Sequence, residues 1–418
     1  MTYFNAVKYI RSAPVGTENG SKGLLPLLNA LGAPHKRMKY IRLAGSNGKT
    51  VCAEMLVSIL SLSGYRVGCL RMPLREEPRE NICIGNSPIN IEEFCEYVNT
   101  VKTTVHDSSN EDPSFSASPL PTPTGAQALL TVALLAFQKH KCDLCIIESD
   151  HFGEDPSRFL PPPFAAVICG TIPSGDTAEI SKIRSYICRG TQEIVSAPQD
   201  NDAFRVIANT CYSVNCRLTL PLRTSINVTK LSFRGTEFSY KGKTYALRLC
   251  GRFQISNAVL ALEVLEMLKR KGFRISDAAV EKGFATLKIP AKFEVISINP
   301  LIMVDSTHSP VAIDIVCDAL AEFRDQMGKR IRLCLPDGAL VEQYVRSLTD
   351  RGYEIEHIIA PEGVTAKAEN AELVHGKTKK AIAKKALESL DKETVLLISG
   401  DYPFVNPVRY ELLAILGF

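Results

Sequence analysis

Lys49 and Thr50 close the hexapeptide "GSNGKT", which runs from Gly45 to Thr50. Tyr40, Ile41 and Leu43 before it read as a short buried strand, and Met55, Leu56, Ile59 and Leu60 after it recur at helical spacing. A strand, a glycine-rich turn and a helix in that order suit a phosphate. The backbone N–H groups at the helix N-terminus converge on an anion, and the helix dipole favours it too. In this reading the backbone of the loop forms the cradle, Lys49 reaches the outer phosphates, and the Thr50 hydroxyl supplies an oxygen to magnesium. The spacing is a shorter variant of the common one, since Leu43 stands where a further glycine is usual. A plain glycine-rich bend is the competing reading. Glu148 is the second candidate, a carboxylate closing the apolar run "CIIES". Ligands of open α/β sheets gather at such strand ends.

The elements that must position these residues alternate between strand and helix, which predicts an α/β sheet wound with helices. A helix is expected from Thr124 to Lys139, then strands at "CDLCIIES" and "FAAVICGTI". Between Ser108 and Pro123 the chain is rich in serine and proline and reads as a surface loop. "RMPLREEPRENICIGNSPINIEEF" also reads as loop. "FRGTEFSYKGKTYALRL" alternates apolar and polar residues about a Lys-Gly turn, the pattern of an antiparallel hairpin. The helix "NAVLALEVLEMLKRKG" ends at Gly272, and Pro290 then marks a change of composition. Strands follow near "LIMVD", "RIRLCLP", "HIIAP" and "TVLLISG". The expected domains are therefore 1–292 and 293–418.

The chain has 418 residues, a net charge of +4, 45% hydrophobic and 22% charged residues, which fits a globular protein with room for two cores. Its basic residues are scattered, so nucleic acid is not an expected partner. No apolar run is long enough for a membrane span and the N-terminus lacks a signal-peptide pattern, so a cytoplasmic protein is expected. The thirteen cysteines read mostly as buried thiols. Cys142 and Cys145 have metal-like spacing, but a shared strand would point them to opposite faces.

The order of motifs resembles the Mur ligase superfamily, and most closely its folylpolyglutamate synthase branch. "SKGLLPLLNALGAP" is similar to the family's opening helix and "LAGSNGKTVCA" to its phosphate loop. "GRFQISNA" resembles its Gly-x-His-Gln-x-x-Asn-Ala motif with Phe253 for histidine, "IPAKFEVI" its Pro-Gly-Arg-Phe-Glu linker, and "VDSTHSP" its Asp-Gly-Ala-His-Asn-Pro motif. The resemblance implies an N-terminal P-loop ATPase domain of Mur ligase type and a smaller C-terminal Rossmann-like α/β domain that closes over the nucleotide. It implies ATP and Mg2+, and a reaction in which an acceptor carboxylate becomes an acyl phosphate before an amine attacks it. Carried over by residue, Gly45, Asn47, Gly48, Lys49 and Thr50 bind phosphates, Thr50 and Glu148 bind metal, with Glu148 at a second cation position. Gln254, Asn257 and Asp305 approach the nucleotide, and His308 joins Lys49 and Glu148 as a catalytic residue. The ordinary readings of Asp305 and His308 are a helix cap and a helix-start histidine.

Several positions depart from the family. Its Ser-Pro-His substrate loop is "MPL" from Met72 to Leu74, its Thr-x-x-Glu is "TGAQ" from Thr124 to Gln127, and its Asp-His aligns with Asp176-Thr177. A lysine that some members carbamylate aligns with Arg184, whose guanidinium cannot form a carbamate. Asp150 and His151, in the run "DHFGEDPSR", are candidate replacements for lost metal ligands. Two functions are therefore expected in competition. One is an ATP-dependent ligase joining glutamate or a similar amino acid to a folate-like acceptor. The other is a silent nucleotide-binding homologue with a regulatory or partner-subunit role.

Overall fold

The computed structural model describes residues 1–14, 20–45, 47–72, 74–110, 119–149, 155–172, 175–307, 309–366 and 371–418. Two compact units emerge, each discontinuous in sequence. Met1–Leu222 packs with Asn257–Gly283, and Arg223–Ser256 packs with Phe284–Phe418. The expected boundary at residue 292 falls inside the second unit.

The first unit is built on an eight-stranded sheet. Its three central strands are Leu144–Glu148, Tyr40–Gly45 and Ala165–Cys169, parallel and buried at every residue. Strands covered on both faces read as continuous apolar runs, which is why sequence finds them. Val67–Leu70 lies beside Leu144–Glu148, and Glu193–Ser196 and Arg217–Thr219 extend the other side. The stretch read as loop after Arg71 holds two short antiparallel strands, Ile82–Ile84 and Ser87–Pro88. They are too short for periodicity to reveal. Ser108 lies in the helix Ile91–Asn110 and not in a loop, its polar face explaining the reading.

The helix Gly125–Lys139 starts one residue after its cap, Thr124. The adjoining strand begins at Leu144, so Cys142 precedes it and the opposite-faces argument fails. The Cys142 and Cys145 thiols interact, which draws Cys142 below and pushes Cys145 above the ordinary thiol range. All thirteen cysteines are free thiols, and all but Cys142 and Cys188 are buried.

In the second unit the expected hairpin pairs Gly235–Tyr240 with Lys243–Leu247 about a turn in which Lys241 and Gly242 both have positive φ. Ile226–Ser232 adds a third strand. A six-stranded sheet follows, Glu294–Ile298, Leu301–Asp305, Thr394–Ser399, Arg330–Cys334, Glu354–Pro361 and Glu372–Gly376 in spatial order. Only the first of these runs antiparallel to its neighbour. Phe233, in the turn between Ile226–Ser232 and Gly235–Tyr240, packs on Phe323 at 4.5 Å between ring centres, joining the core of the larger sheet. Among the described residues no helix is long and apolar enough to cross a membrane.

Candidate active site

The central strand Tyr40–Gly45 delivers its last residue into a turn that only glycine can make. Gly45 has φ 108°, and a Cβ there would stand 2.0 Å from the carbonyl oxygen of Cys169. Gly48 has φ 84° and is the N-cap of the helix Lys49–Leu62, with no side chain to satisfy the first N–H groups. A helix start whose N-cap residue offers no side-chain cap suits a phosphate loop. Asn47 is pressed from behind by Gly170, whose added Cβ would lie 3.0 Å from the Asn47 carbonyl oxygen. The bend is thus packed against the end of the neighbouring strand Ala165–Cys169.

Lys49 folds back and donates from Nζ to the Gly45 carbonyl oxygen. The Thr50 hydroxyl donates to Glu148 Oε2 at 3.1 Å, linking the start of the helix to the end of the neighbouring strand. Glu148 is 1% exposed, and its Oε1 has no hydrogen-bond partner among the described residues. Burial raises its carboxyl above the ordinary range, against the pull of Arg71 and Lys49. A buried carboxylate oxygen without a partner, beside a threonine hydroxyl, is a donor set that fits a magnesium ion.

Asn257, on the helix Arg252–Arg270, reaches this loop, its Oδ1 standing 2.3 Å from where a Gly48 Cβ would be. Gln254 lies one turn earlier on that helix and is buried. Asp305 ends the strand Leu301–Asp305, and its Oδ2 accepts from the backbone N–H of Phe293 at 2.7 Å. Phe293 has φ 52° and Ala291 φ 53°, so Asp305 secures a left-handed turn in the linker. It does not cap the next helix, which begins at Pro310 behind an N-cap Ser309. His308, Asp150 and His151 lie outside the described residues.

The departures acquire physical meanings. Gln127 forms a capping box with Thr124, each accepting from the other's backbone N–H at 3.2 Å. Glutamine closes that box as well as glutamate does. Met72 is buried in the apolar core of the first unit. Thr177 is exposed at the start of a helix capped by Asp176, and Arg184 is exposed near its end. Two residues pass unnoticed in sequence reading. Glu179, in that helix, is buried, and its carboxyl is raised by burial against the charges of Lys182 and Lys49. Arg71, only 7% exposed, pairs with Glu54 at 2.5 Å. Glu54 stands four residues beyond Thr50, one helical turn along the same helix.

No family model matches the chain. It is 26% identical over 340 residues to folylpolyglutamate synthase of Lacticaseibacillus casei, covering 78% of each chain. It is 25% identical over 363 residues to dihydrofolate synthase/folylpolyglutamate synthase of Bacillus subtilis, covering 82% of this chain and 81% of that one. A match of 24% identity to a probable bifunctional folylpolyglutamate synthase/dihydropteroate synthase of Halobacterium salinarum takes in 86% of this chain but 44% of the relative. Among solved structures, the apo form of the L. casei enzyme superposes with a TM-score of 0.79 at 21% identity, covering 99% of this chain and all of that one. The folylpolyglutamate synthase of Thermotoga maritima gives 0.80 at 21% identity, over 98% and 96%. The chain is similar in sequence to these folylpolyglutamate synthases at 24–26% identity, and its α/β fold agrees with theirs along nearly its whole length.

Proposed function

We propose that the protein is an ATP-dependent, magnesium-requiring carboxylate–amine ligase that adds glutamate or a similar amino acid to a folate-like acceptor. The observation that carries this reading is the Thr50–Glu148 hydrogen bond at the mouth of the Gly45–Lys49 loop, with Glu148 Oε1 left for a cation. An acceptor carboxylate oxygen attacks the γ-phosphorus, ADP leaves, an amine attacks the resulting acyl carbon, and inorganic phosphate departs. Magnesium, when bound, neutralises charge on the transferred group. Lys49 holds the same oxygens, the helix N-terminus receives the adjacent phosphate, and Thr50 and Glu148 fix the ion's place. Asn257 braces the loop at Gly48, and we assign Gln254, Asp305 and His308 to the nucleotide by resemblance.

A second reading, a nucleotide-binding homologue without ligase activity, draws on Met72, whose buried thioether replaces a polar residue of the family's substrate loop. Purified protein with ATP, magnesium, glutamate and a panel of pteroate and folate acceptors separates the two. Phosphate release that depends on both acceptor and amino acid supports the ligase; nucleotide binding without such release across the panel supports the second reading.

A further inference from the structure

Arg71 enters the site by register. The strands Val67–Leu70 and Leu144–Glu148 are parallel, and their pairing runs from Val67 opposite Leu144 to Leu70 opposite Ile147. Continued by one residue past the strand's end, that register sets Arg71 opposite Glu148, and the Arg71 charge acts on the Glu148 carboxyl. The Arg71 Nε donates to Glu54 Oε1 at 2.6 Å, and Nη1 donates to the Cys83 sulfur and to the Glu80 carbonyl oxygen. Its backbone is clamped as well. Asn81, fully buried, donates to the Arg71 carbonyl oxygen at 2.7 Å and accepts from the Arg75 N–H at 2.9 Å. This guanidinium is therefore fixed by its own partners within electrostatic reach of the carboxylate that the family resemblance places at a second cation position. The resemblance aligns Met72 with a serine and Thr177 with a histidine of the family, so these positions carry neither the hydroxyl nor the imidazole.

We propose that Arg71 is a built-in cation of the nucleotide site, standing in for a second divalent ion, so that the chain binds its nucleotide with one divalent ion. The inference rests on the nucleotide-binding part of the proposed function and not on turnover. A guanidinium keeps its proton throughout the working pH range and cannot dissociate, so its charge is always present. It attracts the nucleotide and repels a further metal ion from Glu148. Glu54 partly neutralises it, which makes the pair a balance with two adjustable sides.

That balance gives a test that a structural ion pair does not mimic. Arg71→Met and Glu54→Gln break the same contact, so a purely structural role moves both variants in the same direction. The electrostatic role moves them apart. Binding of a non-hydrolysable ATP analogue in EDTA is expected to weaken about tenfold or more in Arg71→Met and to strengthen in Glu54→Gln, relative to wild type. Counting bound Mn2+ by electron paramagnetic resonance with the analogue present should give one ion in wild type and tighter or additional binding in Arg71→Met. Arg71→Lys, which keeps the charge, should restore metal-free binding. Equal shifts of the same sign in Arg71→Met and Glu54→Gln, or two Mn2+ ions on the wild type, overturn the proposal. Because neither readout needs catalysis, a protein that transfers nothing still decides it, whereas loss of all nucleotide binding in wild type refutes the phosphate-loop reading itself.

Discussion

At the scale of single residues the site depends on few atoms, and each has its own signature. If Lys49 meets the outer phosphates as proposed, Lys49→Ala removes that charge, so nucleotide affinity should fall at least about tenfold while the folded fraction is kept. Calorimetric titration with a non-hydrolysable analogue checks this, and unchanged affinity in folded protein would remove Lys49 from the site. Glu179 offers a test through pH. Its carboxyl is raised in the folded state, chiefly by burial, so the folded chain holds this proton more tightly than the unfolded chain does. Its contribution is fully present at low pH and is lost as pH rises through the folded value, above the ordinary carboxylate range. Glu179→Gln should accordingly flatten the fall in stability above about pH 4.5, a difference read from urea unfolding at a series of pH values. Lys49, Thr50 and Glu148 could be picked out as candidates from the sequence because each sits at a fixed offset from a strand end. Arg71 and Glu179 were not, since register across a sheet and burial of a helix's first turn leave no mark on local spacing.

At the scale of elements, the helix Gly125–Lys139 shows how a substitution that looks like lost chemistry can be a cap. Gln127→Glu should leave stability and nucleotide binding near wild type, while Gln127→Ala should lose roughly 1 kcal/mol through the opened capping box. Denaturant titration of the two variants decides it, and a large gain of activity in Gln127→Glu would return the position to catalysis. The phosphate-loop turn makes the opposite case. Gly45→Ala drives a Cβ into the Cys169 carbonyl oxygen, so both folding yield and nucleotide binding should suffer. Buried central strands and the 241–242 turn announced themselves through apolar runs and turn residues. Two- and three-residue strands such as Ser87–Pro88 did not, because two residues carry no period.

At the scale of the whole molecule, the units are interleaved in sequence, and a linear reading has no way to see that Arg223–Ser256 belongs with the chain after Phe284. Phe233 supplies an aromatic face to Phe323, and Arg252 donates to Glu322 at 3.0 Å. A fragment of residues 293–418 should therefore be less stable than the same residues in the full chain. Phe233→Ala should cost about 3 kcal/mol or more and speed amide exchange in Leu301–Asp305 and Arg330–Cys334, leaving Tyr40–Gly45 protected. Uniform exchange across both sheets would contradict this. The free cysteines then acquire a use. Cys52, Cys69, Cys145 and Cys169 are buried in the first unit, and Cys250, Cys317 and Cys334 in the second. A thiol reagent added to native protein can modify them only as fast as each neighbourhood opens, after the half-buried Cys142 and Cys188 have reacted. The chain carries its own set of chemical clocks, and peptide mapping of the labelled sites reports the opening rate of each unit separately without any introduced probe.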